Sequence, residues 1–252
     1  MARYALVACD VTRREFEAAA AASPNRIECD FLPQGLHERA AGARDEIQSH
    51  VDLASRPGVD AILVGYGLCG RATAGIAARG VPLVVPRIHD CIALLLGSRA
   101  RYEEEFRRAP GTYYLSSGWI ERATKPMDSW PAPAGMGEAF GSPEEARRAY
   151  TERFGEEAAD ALVEEFRGWA QNYRRLAWIR NGQGDEEALS AEVRRRAAAR
   201  GLAFEEIRTD LRYFEALVNG PPWDPADFLI VPPGRTLRPS AGPDVFFAAT
   251  PA

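Results

Sequence analysis

Two continuous apolar runs lie close together in the N-terminal half of the chain. Ala61–Val64 and Val81–Val85 are rich in β-branched residues and contain no polar position. Such runs are typical of strands that are covered on both faces, as in a parallel sheet. The segment between them opens with a Gly-rich turn and is long enough to hold a crossover helix. We therefore predict a βαβ unit at the centre of the fold.

The same alternation of short apolar runs and amphipathic segments continues along the chain. It predicts an α/β fold with a mostly parallel, doubly wound, Rossmann-like sheet and helices on both faces, as one sheet or as two β-α-β-α-β halves. The first helix starts at Thr12–Glu15, which matches a capping box, and the Pro-rich segment after Val231 is predicted to be a surface tail. Further strands are predicted at Tyr4–Cys9, Ile27–Leu32, Leu176–Ile179, Leu202–Ile207 and Phe228–Val231.

Three regions follow from this pattern. Residues 1–111 form an N-terminal α/β half, and residues 142–252 form a helical segment followed by a C-terminal α/β half. Residues 112–141 are rich in aromatic residues and proline and show poor periodicity. Long segments of this kind are usually functional or disordered, so we predict a loop that acts as a lid or as a hinge between the halves.

Charge and composition narrow the class of protein. The chain has 252 residues and a net charge of −5, which argues against a general nucleic-acid-binding protein. No run approaches the ~18 apolar residues of a membrane span. Met1–Ala22 carries several charged residues, so we expect no signal peptide. Four cysteines in such a chain indicate thiols in a reducing cytoplasm rather than disulfides.

Cysteine and histidine residues follow the ends of the predicted strands. Cys9 closes the first strand, Cys69 follows the third, and His89 and Cys91 follow the fourth. Because parallel strands end at one edge of a sheet, where ligands bind in open α/β folds, we expect these four residues to converge. His37 follows the second strand, and whether Cys9 or His37 completes the set is left open. Cys29, within a strand, and His50, on a helix, are interpreted as structural.

Such a set of residues is chemically suited to a soft metal. Zinc takes thiolate and neutral imidazole ligands, and an open fourth position is typical of a catalytic site. The His-x-Cys pair with a separate cysteine is similar in ligand type to the zinc site of cobalamin-linked and thiol alkyltransferases. Cys9, Cys69 and Cys91 could equally hold three irons of a [4Fe-4S] cluster. Asp90 would orient His89 or relay a proton, and Arg87 would pair with a substrate carboxylate or phosphate.

The glycines of the same loop allow another interpretation. Gly65, Gly67 and Gly70 have the spacing of a dinucleotide-binding fingerprint, with Asp90 in the place of its acidic residue. The motif follows the third predicted strand rather than the first, however. The simpler role of these glycines is to permit close backbone approach or a turn with positive φ.

Several longer motifs together resemble the DUF1638 family of bacterial and archaeal proteins. The resemblance implies a link to corrinoid and one-carbon methyl-transfer proteins, beside which members of this family often occur, but it implies no catalytic residue. The motifs are Gly65–Gly70, Pro86–Ile92, Leu96–Tyr102, Pro110–Tyr114, Gly118–Glu121 and Phe228–Gly234.

Together these features predict a cytoplasmic metal-thiolate protein. We expect a metalloenzyme that handles a small thiol or a methyl or alkyl group, with zinc or a [4Fe-4S] cluster as cofactor. The expected partners are a small-molecule substrate and a corrinoid or methyltransferase protein. We expect no binding to nucleic acid or to a membrane. The alternatives are a non-catalytic metal- or corrinoid-handling protein, a [4Fe-4S] enzyme of sulfur chemistry, and a nucleotide-dependent enzyme using the Gly65–Gly70 loop.

Overall fold

The computed structural model describes residues 1–36, 40–122, 143–170 and 172–250. Within these ranges, strands and helices alternate along most of the chain. The strands are β1 (Arg3–Cys9), β2 (Arg26–Leu32), β3 (Ala61–Gly65), β4 (Leu83–Pro86), β5 (Thr112–Leu115), β6 (Arg175–Arg180), β7 (Ala203–Arg208), β8 (Phe228–Val231), β9 (Thr236–Pro239) and β10 (Phe246–Ala249). The helices are α1 (Arg13–Ala22), α2 (Ala40–Ala54), α3 (Cys91–Leu95), α4 (Arg99–Arg108), α5 (Ser117–Arg122), α6 (Pro143–Phe154), α7 (Glu156–Ala170), α8 (Glu186–Ala199) and α9 (Arg212–Asn219).

A five-stranded sheet in the order β2-β1-β3-β4-β8 forms the centre of the molecule. Its first four strands are parallel, and β8 pairs with β4 in the antiparallel sense. Strand β1 shows why the central runs are wholly apolar: Ala5 and Val7 join a core that includes α2, while Leu6 and Ala8 join a second core with α1, α3 and α9. The α/β class and the mostly parallel sheet are confirmed; the doubly wound, Rossmann-like arrangement stays a prediction.

The predicted helix between β3 and β4 is wrong. A 3-10 turn at Cys69–Arg71 is followed by irregular chain, and Ala77 forms an isolated bridge with Thr236 of β9. The backbone N–H groups of Gly75 and Ala78 donate to carbonyl oxygens of Leu237 and Arg235. The hydrogen bonds within the crossover are single turns of three residues, such as that from the Ala72 amide to the Cys69 carbonyl oxygen, and other backbone bonds of this segment go to the C-terminal hairpin, so an α-helix does not form there.

Strands β5, β6 and β7 form a separate parallel sheet of three strands. The loop predicted over 112–141 is therefore wrong at its start, because residues 112–115 form β5 and residues 117–122 form α5. Leu115 is buried in a core with Trp178, a contact that aromatic-rich sequence without clear periodicity does not reveal. Residues 123–141 of that predicted loop lie outside the described residues.

The C-terminal segment returns to the first half of the chain. Strand β8 completes the five-stranded sheet, so the division predicted between residues 1–111 and 142–252 does not separate two sheets. The predicted surface tail is wrong as well, because β9 and β10 form a hairpin whose Leu237 and Phe246 are fully buried. In the described parts of the chain, no helix combines the length and apolar character needed to cross a membrane.

Candidate functional site

The loops that leave β3 and β4 are joined backbone to backbone. The amide of Leu68 donates to the carbonyl oxygen of Ile88 at 3.0 Å, and the amide of Cys69 donates to that of His89 at 2.8 Å. At Gly67, a Cβ atom would lie 2.8 Å from both the Ile88 oxygen and the Asp90 nitrogen. Gly67 therefore lets the two loops approach, which brings Cys69 next to the His89–Cys91 segment.

The backbone of this loop is strained at Cys69. Three consecutive residues have positive φ: 43° at Cys69, 62° at Gly70 and 76° at Arg71. Only the glycine adopts this region without a steric cost. The Thr73 hydroxyl fixes the turn by donating to the Gly67 carbonyl oxygen at 2.9 Å. Non-glycine residues held in this conformation cluster at functional sites, because surrounding structure must compensate for the strain.

Three cysteines lie at or just beyond the carboxyl ends of β1, β3 and β4. Cys9 and Cys69 are buried, and Cys91 is half-buried. Burial raises the pKa of Cys69, and the nearby Asp90 and Cys9 raise it further. Burial also raises the pKa of Cys91 well above its ordinary value, with added contributions from Cys69 and Cys9. The three side chains are therefore close enough to influence one another, and Cys69 and Cys91 are protonated at neutral pH.

A buried tyrosine hydroxyl is under the electrostatic influence of these thiols. Tyr66 is 3 % exposed, and within the described residues its hydroxyl has no hydrogen-bond partner. Burial is the main cause that raises the pKa of this hydroxyl, and the nearby Cys9, Cys69 and Cys91 raise it further. A buried polar atom without a partner is rare and costs free energy, so this hydroxyl is a candidate contact for a bound species.

Asp90 fixes the start of helix α3 and with it the position of Cys91. Its Oδ1 accepts from the Ile92 amide at 3.0 Å, and its Oδ2 accepts from the Tyr102 hydroxyl at 2.8 Å. Burial nevertheless raises the pKa of this carboxyl. Asp90 was predicted to orient His89. Its side-chain hydrogen bond is instead made with Tyr102.

The side chains of His89 and Arg87 have other surroundings than predicted. His89 is exposed and lines a neighbouring cavity. Arg87 donates from Nε to the Pro225 carbonyl oxygen at 2.9 Å and from Nη1 to that of Phe246 at 2.7 Å. Arg87 thus fastens the C-terminal segment to the end of β4.

A match to a known family accompanies this geometry. The family described as "Protein of unknown function (DUF1638)" matches residues 31–218. The chain belongs to the DUF1638 family. The matched range includes Cys69 and Cys91 but not Cys9 or the C-terminal hairpin. Neither the curated proteins nor the solved structures contain a match to this chain.

The cysteines of this DUF1638 chain are gathered but not arranged as a finished metal site. In the parts of the chain that are described, no three Cys, His, Asp or Glu side chains are grouped to hold a metal ion. Binding of a metal would therefore require rotation of the thiols and loss of their protons. His37, the other candidate ligand, lies outside the described residues.

Packing accounts for the glycine motif of this DUF1638 chain without a bound dinucleotide. At Gly65, a Cβ atom would lie 2.6 Å from the Cβ of Ala8 and 2.7 Å from the ring of Phe16. Gly67 accommodates the β4 loop, and Gly70 adopts positive φ. A dinucleotide fingerprint needs a helix directly after the glycines, and a 3-10 turn stands there instead.

A second polar cluster was missed by the sequence analysis. The predicted capping box is not formed: the Thr12 hydroxyl donates to the Cys9 carbonyl oxygen, and Glu15 is fully buried. Glu15 Oε1, on α1, accepts from Nδ2 of Asn181, which follows β6, at 2.8 Å. Burial raises the pKa of Glu15, and its Oε2 has no partner among the described residues. The only feature of the sequence that could have indicated this cluster is that a polar residue follows the end of each strand.

Proposed function

We propose that Cys9, Cys69 and Cys91 bind a soft metal ion and that the protein is a cytoplasmic metalloenzyme of small-thiol or methyl or alkyl transfer. The observation that supports the proposal is that Cys9, Cys69 and Cys91, from three strand ends, all raise the pKa of Tyr66, whose hydroxyl has no partner among the described residues. The carboxyl edge of parallel strands is where α/β proteins bind ligands. A corrinoid or methyltransferase protein remains the partner that the family resemblance implies.

The strained backbone at Cys69 supports a functional role for this residue. A cysteine that only filled space in the core would not need positive φ, since any small apolar residue packs equally well from a relaxed backbone. The conformation directs Cys69 toward the β4 loop, where its amide bonds to His89 and Cys91 follows two residues later.

The protein's own residues would perform three tasks in this chemistry. The cysteines would hold the metal as thiolates, and Tyr66 would donate a hydrogen bond to a bound sulfur or oxygen atom. Asp90 would hold Cys91 in place through its bond to the start of α3. The metal, when bound, would lower the pKa of a substrate thiol. Three thiolates suit either zinc or three irons of a [4Fe-4S] cluster.

Proton release upon zinc titration tests the ligand set. The pKa values of Cys69 and Cys91 are raised, so both thiols must lose protons when metal binds, and affinity must rise with pH. We expect zinc added to metal-free protein in weak buffer to release protons stoichiometrically. Cys91→Ser should release fewer protons and bind more weakly, whereas Cys29→Ser, with its exposed side chain, should match the parent. Equal proton release from all variants would contradict the assignment.

Burial of the thiols favours a second candidate, a non-catalytic metal-handling protein. Cys9 and Cys69 are 7 % and 9 % exposed, which leaves a substrate little direct access. A small exogenous thiol added to the cobalt-substituted protein separates the two functions. A change in the visible spectrum would indicate an open coordination position and an enzyme, whereas an unchanged spectrum would indicate a closed site.

A further inference from the structure

A cavity of about 550 Å³ lies between helix α4 and the C-terminal hairpin. This volume falls within the usual range for small-molecule sites, ~300–1,000 Å³. Its apolar lining includes Ile88, Ala93 and Phe106, and Phe106 is 56 % exposed although it is a large aromatic residue. The cavity therefore offers apolar contact to part of a ligand.

The cavity also carries an excess of positive charge. Among the described residues that line it, Arg87, Arg99, Arg107 and His89 stand against the carboxylate of Glu103. Recorded hydrogen bonds of the three arginines run to backbone carbonyl oxygens: Arg87 Nη1 to Phe246, Arg99 Nη1 to Ala226, and Arg107 Nε to Glu103. Carbonyl oxygens orient a guanidinium group without neutralising its charge.

Carboxylates near these arginines offset only part of that charge, since Asp227 interacts electrostatically with Arg99. Asp244 is 4.0 Å from Arg87 Nη1, but its side chain is 74 % exposed, so water screens this pair. Glu105, on α4, instead pairs with the buried Arg175 at 2.8 Å. That bond holds α4 against the three-stranded sheet, and the charged wall of the cavity is therefore firmly positioned.

Backbone strain occurs at the opposite wall. Val245 has a φ of 60°, which is an outlier for a β-branched residue, and it is 1 % exposed. The conformation is fixed by a hydrogen bond from the Ser240 amide to the Val245 carbonyl oxygen at 2.8 Å. Strain retained at a cavity wall is consistent with a binding function.

We propose that this cavity binds a small organic anion, a carboxylate or a phosphate ester with an apolar body. The anionic group would pair with Arg107, Arg99 and His89, and the apolar body would contact Phe106. The inference goes beyond the proposed metal chemistry and does not depend on it. A physical link exists, however, because Tyr102 lines the cavity and donates to Asp90, next to Cys91.

Calorimetric titration of the full chain with phenyl phosphate and with benzoate tests this site, with benzyl alcohol and inorganic phosphate as partial probes. We expect at least one of the aromatic anions to bind saturably and more tightly than either partial probe. Whichever binds more tightly identifies the phosphate or the carboxylate as the natural group. Absence of saturable binding by both anions to folded protein would overturn the proposal.

Variants on helix α4 locate the binding. Arg107→Gln should weaken binding of the aromatic anion about tenfold, because a charge-assisted contact is lost. Arg101→Gln removes the same charge from the same helix outside the cavity lining and should change affinity less than about twofold. Phe106→Ser should weaken the aromatic anion but not inorganic phosphate. Equal effects of Arg107→Gln and Arg101→Gln would overturn the proposed location, whatever the metal content of the protein.

Discussion

At the scale of single residues, the positions of the cysteines at strand ends were predictable and their surroundings were not. Cys9, Cys69 and Cys91 follow the ends of parallel strands, and strand order alone brings such positions to one edge. Tyr66 carried no sequence signal, because a buried tyrosine usually finds a partner for its hydroxyl. His89 was expected beside the thiols, but Asp90 caps α3 and leaves His89 exposed.

Cys29 illustrates the limit of strand alternation. It was interpreted as a structural residue within a strand, yet its side chain is exposed, because β2 lies at the edge of the sheet. Burial against the neighbouring structure still raises the pKa of its thiol to about 11. Cys29→Ser should therefore change stability by less than ~1 kcal/mol, as surface substitutions usually do, and remains a suitable control for the other cysteines.

Tyr66→Phe tests whether the unpartnered hydroxyl has a ligand. In metal-free protein, removal of a buried hydroxyl without a partner should leave stability unchanged or raise it by about 1 kcal/mol. The same change should weaken metal binding. Tyr102→Phe is the matched control, because its hydroxyl bonds to Asp90 and its loss should destabilise the protein. Urea unfolding of both variants measures this, and a large destabilisation by Tyr66→Phe would refute the assignment.

Glu15→Gln tests the pH dependence of stability. Burial raises the pKa of Glu15, so the folded state keeps a proton that the unfolded state has lost. The contribution of Glu15 to the free energy of unfolding is fully present below the ordinary pKa of glutamate. It is lost as the pH rises through the raised pKa of Glu15 in the folded state. Glutamine does not ionise and still offers an oxygen to Asn181. The variant should therefore be more stable than the parent at slightly alkaline pH and less dependent on pH.

The control for this substitution lies on the same helix. Glu17 is exposed on α1, so Glu17→Gln should leave the pH profile nearly unchanged. Unfolding free energies measured in urea at about pH 5 and about pH 8 compare the two variants. A pH profile of Glu15→Gln identical to the parent would mean that Glu15 is not the titrating group.

At the scale of elements, tertiary contacts decided what periodicity could not. The central strands were predicted correctly because two covered faces leave a continuous apolar run. The crossover after β3 was predicted as a helix from its length, whereas the hairpin of β9 and β10 supplies part of its backbone hydrogen bonds. Partners so distant in sequence leave no local signal. The same reason explains why Leu237 and Phe246 were assigned to a surface tail.

Gly67→Ala tests the junction of the β3 and β4 loops. The added Cβ would lie 2.8 Å from backbone atoms of Ile88 and Asp90, which cannot rotate away. We expect a loss of about 1–3 kcal/mol in stability, as for other overpacked positions, together with weaker metal binding. Gly42→Ala is the control: that glycine is helical with no atom within 4 Å, so alanine should stabilise by up to ~1 kcal/mol. A Gly67→Ala variant as stable as the parent would contradict the close approach of the β3 and β4 loops.

At the scale of the whole molecule, the five-stranded and three-stranded sheets share one core. Leu6 of β1 belongs to the same apolar cluster as Ile179 of β6 and Phe214 of α9. At Gly118 a Cβ would lie only 2.0 Å from the Val11 carbonyl oxygen, so α5 packs directly on the chain that follows β1. The sequence did not decide between one sheet and two halves, because its alternation is the same in both.

A fragment of residues 1–111 tests this shared core. It lacks β8, α9 and the hairpin, which contribute the buried Val231, Phe214 and Phe246. We expect the fragment to show no cooperative unfolding transition in urea by circular dichroism. The full chain should unfold in a single transition, coincident by circular dichroism and tryptophan fluorescence. A fragment that unfolds cooperatively would show that the N-terminal half is an independent domain.

Metal content measured on anaerobically purified, folded protein tests the central claim most directly. We predict zinc or iron in near-stoichiometric amount in the parent chain and in Cys29→Ser, and a loss of that metal in Cys69→Ser, since serine is a far poorer ligand than thiolate. A coloured protein with broad visible absorption would indicate an iron–sulfur cluster, and a colourless metalloprotein would indicate zinc. A freshly isolated, folded parent chain that contains neither metal would contradict the account, as would a Cys69→Ser variant with the full metal content.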